Sequence, residues 1–451
     1  MYRVLCFLLV TILHLHHTAQ ATLIQVPRKK WKSKTTSFIL PAAKLGLPQI
    51  FTNPPALRKW RAFKKWSFQE NGRLATIVDT LNGIYLQHDS PVFGPFFDTS
   101  RPLATHPDIT PTHHYTQISM PMSKFLSNLS TPTTPPTTPP TFMYLTREIE
   151  RVHPLLEHDI SPFHELIRLG PQKSSINIWM GQQGVIAPCH YDSYHNVYVQ
   201  VYGQKTFFIA SPTAKHILKP YPFVHPSHAQ CQLRLNAERA AQIDVYVATL
   251  HKGDVLYLPP LWFHEVVAET NSISVNGWTP GRDAVWVDAL FAVPLPTVWM
   301  QLFQMQTTKR TLQQRVVLLS TMLVALFAQV KDVRAVLFLS ELYTTRFQSL
   351  HRVFSVTLPW VEFDCLEWRN KEGEQKEQVD VWRWAAEVAQ VVGHFQKNTG
   401  SIWLGNYVET MCLTIVGGEN AHELGALLKG VRRCVGRLRS GDVGSGRRID
   451  L

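Results

Sequence analysis

The feature that most constrains this chain is a succession of short segments between residues 174 and 280 with the composition of β-strands. They are rich in β-branched and aromatic residues, are bounded by glycine, proline or aspartate, and read INIWMG, VYVQVYG, KTFFIAS, QIDVYVATL, DVLYLPP and SISVNGW. No helical periodicity separates them. Consecutive short strands of this kind favour an antiparallel barrel or jelly roll. We therefore predict a mainly β core.

The composition and periodicity of the sequence differ on the two sides of this core. Residues 45–129 are expected to be the N-terminal part of the same domain, with GRLATIVDTLNGIYLQHD forming strands. Residues 130–141, STPTTPPTTPPT, cannot bury an apolar face and are interpreted as a solvated insertion before the core domain at 142–280. Beyond Pro280, apolar residues recur every three or four positions, which predicts a helical region at 281–451.

The N-terminus has the layout of a secretory signal peptide. Arg3 precedes an apolar run, and Ala19-Gln20-Ala21 has the pattern of a cleavage site, so we predict a signal at 1–21. A buried first strand or a wrongly assigned start is the alternative. A signal implies the secretory pathway and its absence implies cytoplasm or nucleus. The apolar segment 316–330 contains Ser, Thr and Gln; we expect a core helix there and no transmembrane span.

The charged residues suggest a class of partner, and the cysteines indicate whether disulfides are expected. The net charge of +12 is concentrated partly in residues 28–34 and partly beyond residue 428. Such clusters bind phosphate or an anionic surface, although a solvated tail is the alternative. Nucleic acid is therefore a candidate partner that the charge alone does not establish. The six cysteines show no paired spacing, so no disulfide framework is predicted.

Three residues stand out as a candidate metal site. In a strand, alternate residues face the same side, so His190 and Asp192 project together. His264, in HKGDVLYLPPLWFHEVV, offers a third ligand. Two imidazoles and one carboxylate on one face of an octahedral metal leave three positions open, which is the arrangement of non-haem Fe(II) oxygenases. The alternative is that these are ordinary core histidines, which is how we interpret His195 and His251.

These segments together resemble the JmjC, or cupin-like, Fe(II)/2-oxoglutarate-dependent oxygenases. GQQGVIAPCHYDSYHNVYVQVYGQKTFFIASP and HKGDVLYLPPLWFHEVVAETNSISVNGW are similar to the two core blocks of the hydroxylase branch of that family. PALRKWRAFKKWS is similar to the segment that often precedes them. The resemblance covers residues 45–280 and implies a double-stranded β-helix, or cupin-type jelly roll, with its catalytic core at 142–280.

The resemblance also assigns roles to individual residues. It implies that the iron ligands and catalytic residues are His190, Asp192 and His264. It implies further that Lys205 holds the far carboxylate of 2-oxoglutarate, because a buried carboxylate needs a cation to offset its desolvation. The remaining matches are Asn196, Tyr144 and Asn276 as co-substrate contacts and Trp278 as a wall of the substrate pocket. The implied cofactor is Fe(II), with 2-oxoglutarate and O2 as co-substrates.

One position departs from the family pattern. The family commonly has Ser or Thr three residues before the first histidine, whereas this chain has Ala187. The loss of one charge-assisted hydrogen bond costs about 1.5–3 kcal/mol. We therefore expect weaker binding of 2-oxoglutarate rather than an inactive enzyme.

The implied activity is hydroxylation of a protein side chain, with release of succinate and CO2. RNA-base hydroxylation and protein-lysine demethylation are the alternatives within the same family. A non-catalytic cupin-like scaffold that only binds a partner is the alternative outside it. We also expect a homodimer contact through the helical region.

Overall fold

The computed structural model describes residues 23–31, 39–52, 54–69, 72–94, 115–130, 140–167, 174–221, 223, 227–296, 309–330, 375–395, 399–416, 427–428, 431–432 and 435. The predicted signal peptide, nearly all of the Pro/Thr insertion and most of the C-terminal basic cluster lie outside these residues. The chain divides into two compact units. The first unit comprises Met1–Pro95, His113–Leu218 and Gln230–Gly281, and the second comprises Phe96–Thr112, Lys219–Ala229 and Arg282–Leu451.

The first unit is built on two β-sheets. Its described strands are β1 Leu23–Gln25, β2 Arg28–Lys30, β3 Gln49–Thr52, β4 Thr80–His88, β5 Tyr115–Pro121, β6 Thr141–Glu148, β7 Ser175–Gly181, β8 Ile186–Tyr191, β9 His195–Tyr202, β10 Lys205–Ala210, β11 Val245–Leu250, β12 Asp254–Leu258, β13 Phe263–Ala268 and β14 Ser272–Thr279. The small sheet has the order β1-β11-β10-β13-β8, and the large sheet has the order β2-β3-β12-β9-β14-β7-β6-β4-β5. β1–β11 and β2–β3 are parallel pairs. The other described pairs are antiparallel.

Helices accompany the sheets and make up most of the described part of the second unit. In the first unit they are α1 Ile39–Leu45, α2 Ala62–Lys65, α3 Arg73–Ile77, α4 Met122–Ser130, α5 Ile149–Val152, α6 Leu155–Asp159, α7 Phe163–Ile167 and α8 Lys215–Leu218, with 3-10 helices at Pro55–Lys59, Pro212–Ala214 and Ala237–Ala241. In the second unit they are α9 Arg282–Ala292, α10 Lys309–Gln329, α11 Gln375–Val392 and α12 Gly400–Val416.

β9 shows how the two faces of a central strand are used. Val197, Val199 and Val201 belong to the hydrophobic core that the large sheet forms with helices. The alternate residue Tyr198 belongs to a second core that contains residues of both sheets. Because both faces are covered, the strand is apolar along most of its length, as expected for a doubly buried strand.

The two sheets enclose this second core. Phe207 and Ile209 of the small sheet lie in it together with Leu256 and Leu258 of the large sheet. This arrangement confirms the predicted cupin-type jelly roll. All six segments that opened the sequence argument form strands, namely β7, β9, β10, β11, β12 and β14.

The strand prediction was wrong at the beginning of GRLATIVDTLNGIYLQHD. Residues Arg73–Ile77 form α3, and only Thr80–His88 is a strand. The Thr76 amide donates to the Gly72 carbonyl at 3.0 Å and closes the first helical turn, and the Thr76 hydroxyl donates to the same carbonyl at 2.8 Å. An alternation over five residues does not distinguish a strand from one turn of helix.

Most of the described residues beyond Pro280 are helical, as predicted. Leu319, Leu323 and Phe327 of α10 are completely buried, which confirms the core helix expected at 316–330. The Gln329 amide donates to the Trp382 carbonyl at 3.0 Å and so links α10 to α11. Among the described helices, none combines the length and the apolar character needed to cross a bilayer. The homodimer contact stays a prediction.

The turn between β9 and β10 generates a prediction about stability. Gly203 has φ +73°, and a Cβ atom there would lie 2.1 Å from the Asn271 carbonyl oxygen. We expect Gly203→Ala to destabilise the first unit by about 3 kcal/mol or more, because conformational strain and a backbone clash add together. The matched control is Gly46→Ala, since Gly46 also has a positive φ but no atom within 4 Å of its Cβ position. It should cost only about 1 kcal/mol. Thermal denaturation measures both, and equal losses would contradict the clash.

Candidate functional site

Two histidines meet because β8 and β13 are paired. His190 is the direct ladder partner of His264, and their ring centroids are 4.2 Å apart. Asp192 lies just beyond the end of β8, not inside the strand as predicted, and its Oδ2 is 3.6 Å from Nε2 of His264. One potential ligand atom from each residue lies within 4.8 Å of the others. Ligand atoms at right angles around one ion are about 3 Å apart, so small adjustments let all three bind one metal.

A β-bulge explains how residues three positions apart reach the same cavity. His264 pairs with His190 but Val266 pairs with Ala187, so β8 contains one extra residue. Ala187 and His190 consequently both line the cavity described below. Bulges often re-aim side chains beside functional sites. The position at which this chain departs from the family pattern therefore lies in the same cavity as the three candidate ligands.

The backbone fixes the proton on each imidazole. Nδ1 of His190 lies 2.7 Å from the Pro188 carbonyl oxygen, and Nδ1 of His264 lies 3.0 Å from the Trp262 carbonyl oxygen. A carbonyl only accepts, so each Nδ1 carries a proton and donates it. In a neutral imidazole this leaves a lone pair on Nε2, the atom that a metal needs. Burial, with the nearby His190, lowers the pKa of His264 to about 4, which keeps it neutral at physiological pH.

A chain of hydrogen bonds ends on the carboxylate. The Trp278 indole and the Asn196 amide both donate to Oδ2 of Asp192, at 3.2 and 3.0 Å. The Asn276 amide donates to Oδ1 of Asn196 at 3.1 Å, and the Trp179 indole donates to Oδ1 of Asn276 at 2.7 Å. Three strands of the large sheet therefore hold one carboxylate that lies at the end of the small sheet.

This network adds contacts to those that were predicted. The co-substrate contacts of Asn196 and Asn276 stay a prediction, and in the structure the two amides also bond to each other, with Asn196 donating to Asp192. Trp278 was expected only as an aromatic wall, and it also donates to the carboxylate. Trp179 was not predicted at all. The signal available was an indole within a strand segment, but the pairing of that strand with SISVNGW cannot be read from local sequence.

Lys205 is a buried cation at the start of β10. It is 2% exposed, and its ammonium donates to the Tyr198 hydroxyl at 2.8 Å. Nζ lies 5.8 Å from the ring centroid of Tyr144. In the part of the chain that is described, no carboxylate forms an ion pair with it. Burial lowers the pKa of Lys205 to about 7. A cation in this position lacks a counter-charge that an anionic ligand can provide.

One cavity brings the predicted residues together. Its lining side chains are Tyr144, Trp179, Ala187, His190, Asp192, Asn196, Tyr198, Phe207, His264, Val266, Asn276 and Trp278. Every predicted site residue is among them except Lys205, whose hydrogen-bond partner Tyr198 is included. His195 and His251 are not: His195 is buried with Nδ1 2.7 Å from the Tyr257 hydroxyl, and His251 is exposed in a turn.

A family model described as the cupin-like domain matches residues 42–280, which is more than half of the 451 residues. The chain belongs to the cupin-like domain family. The match confirms, at the level of the family, the resemblance to JmjC proteins that was based on the two core sequence blocks.

Several curated proteins are similar to this family member. Jumonji C domain-containing protein 5 of Drosophila melanogaster is 34% identical over 133 residues, 28% of this chain and 33% of the relative. Lysine-specific demethylase JMJ30 of Arabidopsis thaliana is 26% identical over 243 residues, 52% of this chain and 50% of the relative. The bifunctional peptidase and (3S)-lysyl hydroxylase JMJD7 of Homo sapiens is 27% identical over 160 residues, 30% of this chain and 50% of the relative.

The matched region is a third to a half of the length of these relatives. One of them is named as a demethylase and another as a hydroxylase. The comparisons therefore do not single out the hydroxylase branch, which stays a prediction.

The buried lysine generates a prediction about pH. The pKa of Lys205 is about 7 when folded against 10.5 for an ordinary lysine. Between these values the unfolded chain binds more protons, so the contribution of Lys205 to stability rises with pH. We expect Lys205→Met to be more stable than wild type at about pH 6, by on the order of 4 kcal/mol, with the difference largely gone near pH 10.

Chemical denaturation of the ligand-free proteins across this pH range measures the effect. The exposed Lys252, changed to Met, serves as the control and should show no such trend. A constant difference between wild type and Lys205→Met would contradict the buried-cation interpretation.

Proposed function

We propose that this chain is an Fe(II)- and 2-oxoglutarate-dependent dioxygenase that hydroxylates a protein side chain. The observation that carries the proposal is the convergence of two imidazoles and one carboxylate in a single cavity. Such a set holds one face of an iron ion and leaves the opposite face open. Iron bound there supplies the oxidation, in which 2-oxoglutarate and dioxygen give succinate and CO2 as an oxygen atom enters a substrate C–H bond.

The protein's part in metal binding is to present the ligand atoms in the correct state. His190 and His264 each donate Nδ1–H to a carbonyl, so Nε2 is the nitrogen that each imidazole can offer to a metal. Asp192 receives two hydrogen bonds on one oxygen, which fixes the plane of its carboxylate. Outer contacts of this kind commonly change metal affinity by about 10- to 100-fold when they are removed.

Lys205 is the proposed anchor for the far carboxylate of 2-oxoglutarate. Its buried ammonium lacks a described counter-charge, and an arriving carboxylate would favour the charged form and raise its pKa. Burial raises the pKa of Tyr144 well above its ordinary value, so its hydroxyl stays protonated and can donate to the same carboxylate. Ala187 supplies no donor, so the expectation of weakened co-substrate binding remains part of the proposal.

A protein side chain is the proposed substrate, and the name of the human lysyl hydroxylase supports this choice. The Trp278 and Trp179 rings pack edge-to-face with centroids 6.1 Å apart. Together they give an aromatic wall against which an aliphatic substrate side chain can pack. Demethylation is the alternative suggested by the Arabidopsis relative. The products separate the two, because hydroxylation leaves an added oxygen on the peptide while demethylation removes a methyl group as formaldehyde.

The first test is turnover of 2-oxoglutarate without added substrate. The full chain is supplied with Fe(II), ascorbate and 2-oxoglutarate in air, and succinate is measured. We expect slow succinate release by wild type and at least about a hundredfold loss in His190→Ala, because a ligand atom is removed. His251→Ala is the matched control, since His251 is an exposed histidine outside the cavity.

Binding measurements complete this test. Metal-dependent binding of 2-oxoglutarate, abolished in His190→Ala and retained in His251→Ala, would support the proposed site even if uncoupled turnover were very slow. Equal succinate release from both variants would contradict it. An absence of both turnover and metal-dependent binding would favour the non-catalytic scaffold.

An exposed basic surface favours a second candidate, an RNA substrate. It consists of Arg58 and Lys59 on the 3-10 helix Pro55–Lys59, Arg61 directly before α2, and Lys64 and Lys65 on α2, all of which are exposed. Trp60 within this segment and Trp66 directly after it are buried and anchor the segment. Within the described residues, none of the five cations forms an ion pair. Clustered cations without internal partners fit a phosphate backbone.

Salt dependence tests this second candidate. We expect binding of a short single-stranded RNA to weaken steeply with KCl, and Lys64→Ala/Lys65→Ala to reduce the slope by about 0.7 for each phosphate contact that is lost. Lys44→Ala/Lys124→Ala removes two exposed charges outside the basic surface and is the matched control. Fluorescence anisotropy measures both, and equal effects of the two double variants would exclude a dedicated RNA surface.

A further inference from the structure

Two cysteines face each other at the edge of the small sheet. β8 is the terminal strand of that sheet, and on the side away from β13 His190 forms an antiparallel bridge with Gln230. The Cys231 amide donates to the Cys189 carbonyl at 2.8 Å. Cys189 therefore lies directly opposite Cys231, and their sulfur atoms are 2.7 Å apart.

This placement fits a covalent bond between the two sulfur atoms. Directly opposed residues of an antiparallel pair have Cα atoms about 4.5 to 5.5 Å apart. Disulfide-bonded cysteines have Cα atoms about 4.4 to 6.8 Å apart. Cys189 and Cys231 can therefore be joined by rotation of their side chains, without movement of the backbone.

The pair lies where β8 is held least well by its own sheet. Among the described strands β13 is the only sheet neighbour of β8, and the bulge between Ala187 and His190 interrupts that ladder. A bulge leaves one residue without its ladder partner. The backbone of Cys231 bonds β8 from the other side at this position, so the two cysteines support the strand that carries His190.

The segment that contains Cys231 is also fixed beside the second histidine. We call residues 230–235 the edge segment. The Glu265 carboxylate, 1% exposed, accepts bonds from the Arg234 guanidinium at 2.6 and 2.8 Å and from the Leu235 amide at 3.0 Å. Glu265 follows His264 in the chain just as Cys189 precedes His190. The edge segment is thus attached next to both imidazoles, by an ion pair at one end and by the cysteines at the other.

We propose that Cys189 and Cys231 form a reversible disulfide that fixes the edge segment to β8. The oxidant is a low-molecular-weight disulfide such as oxidised glutathione. Cys231 is half-buried and Cys189 is buried, so the Cys231 thiolate reacts first. It forms a mixed disulfide and releases one reduced glutathione.

The second step closes the bond within the protein. The Cys189 thiolate attacks the sulfur of Cys231 in the mixed disulfide and displaces the second glutathione as its thiolate. The two cysteines together lose two electrons and two protons, and one glutathione disulfide becomes two thiols. The reverse reaction with excess reduced glutathione restores both cysteines.

Peptide mapping of the full chain tests the proposal directly. The protein is equilibrated with oxidised glutathione, free thiols are alkylated, and disulfide-linked peptides are identified by mass spectrometry. We expect a linked pair that contains Cys189 and Cys231, and we expect it to disappear with excess reduced glutathione. The oxidised protein should also melt on the order of 5 °C higher, because the bond closes a loop in the unfolded chain.

Two variants sharpen the result. Cys231→Ser should lose the linked peptide and the shift in melting temperature, whereas Cys412→Ser, which changes a buried cysteine of the second unit, should keep both. The map of wild type decides the pairing even if a variant fails to fold.

A stable glutathione adduct on Cys231 without the internal link, or a link to another cysteine, would overturn the proposal. A Cys189–Cys231 link that leaves the melting temperature unchanged would overturn its stabilising role. None of these readouts depends on iron, so they stand apart from the test of the proposed function.

Discussion

The polar side chains enclosed between the two sheets must satisfy one another's hydrogen bonds, and the site depends on this constraint. A buried amide or hydroxyl without a partner costs stability, and the cost grows in a low-dielectric interior. Asn196, Asn276 and Trp179 meet that requirement in a single chain of hydrogen bonds that ends on Asp192. The same bonds that make these groups tolerable inside the first unit therefore also set the orientation of a candidate metal ligand.

Much of the fold was predictable because the central strands carry strong local signals. Strands covered on both faces must be apolar along their length, and β9 and β12 show this in the sequence without knowledge of their neighbours. The three candidate ligands were predictable for a different reason, since their residue types and the segments around them match a family pattern. Arg73–Ile77 was missed because five residues contain too little periodicity to separate a helical turn from a strand.

The remaining features of the site depend on pairing between distant parts of the chain. Trp179 donates a hydrogen bond to Asn276, which is 97 residues away in the sequence, and Cys189 contacts Cys231, which is 42 residues away. Nothing in a local window specifies which strand lies beside which, so neither contact can be read from periodicity. The bulge in β8 is equally hidden, because the sequence does not show where a ladder gains one residue. Without that residue, Ala187 and His190 would face opposite sides of the strand.

The candidate ligands are therefore held by two sheets rather than one. His190 and His264 belong to paired strands of the small sheet, and backbone carbonyls near each of them fix the imidazole protons. Asp192 receives its hydrogen bonds from residues of β9 and β14 in the large sheet. The distance between the imidazoles and the carboxylate thus depends on how the two sheets pack, which the apolar core between them sets. Substitutions in that core can consequently alter metal geometry without touching a ligand, whereas a disulfide between Cys189 and Cys231 would act through β8, the strand that carries His190.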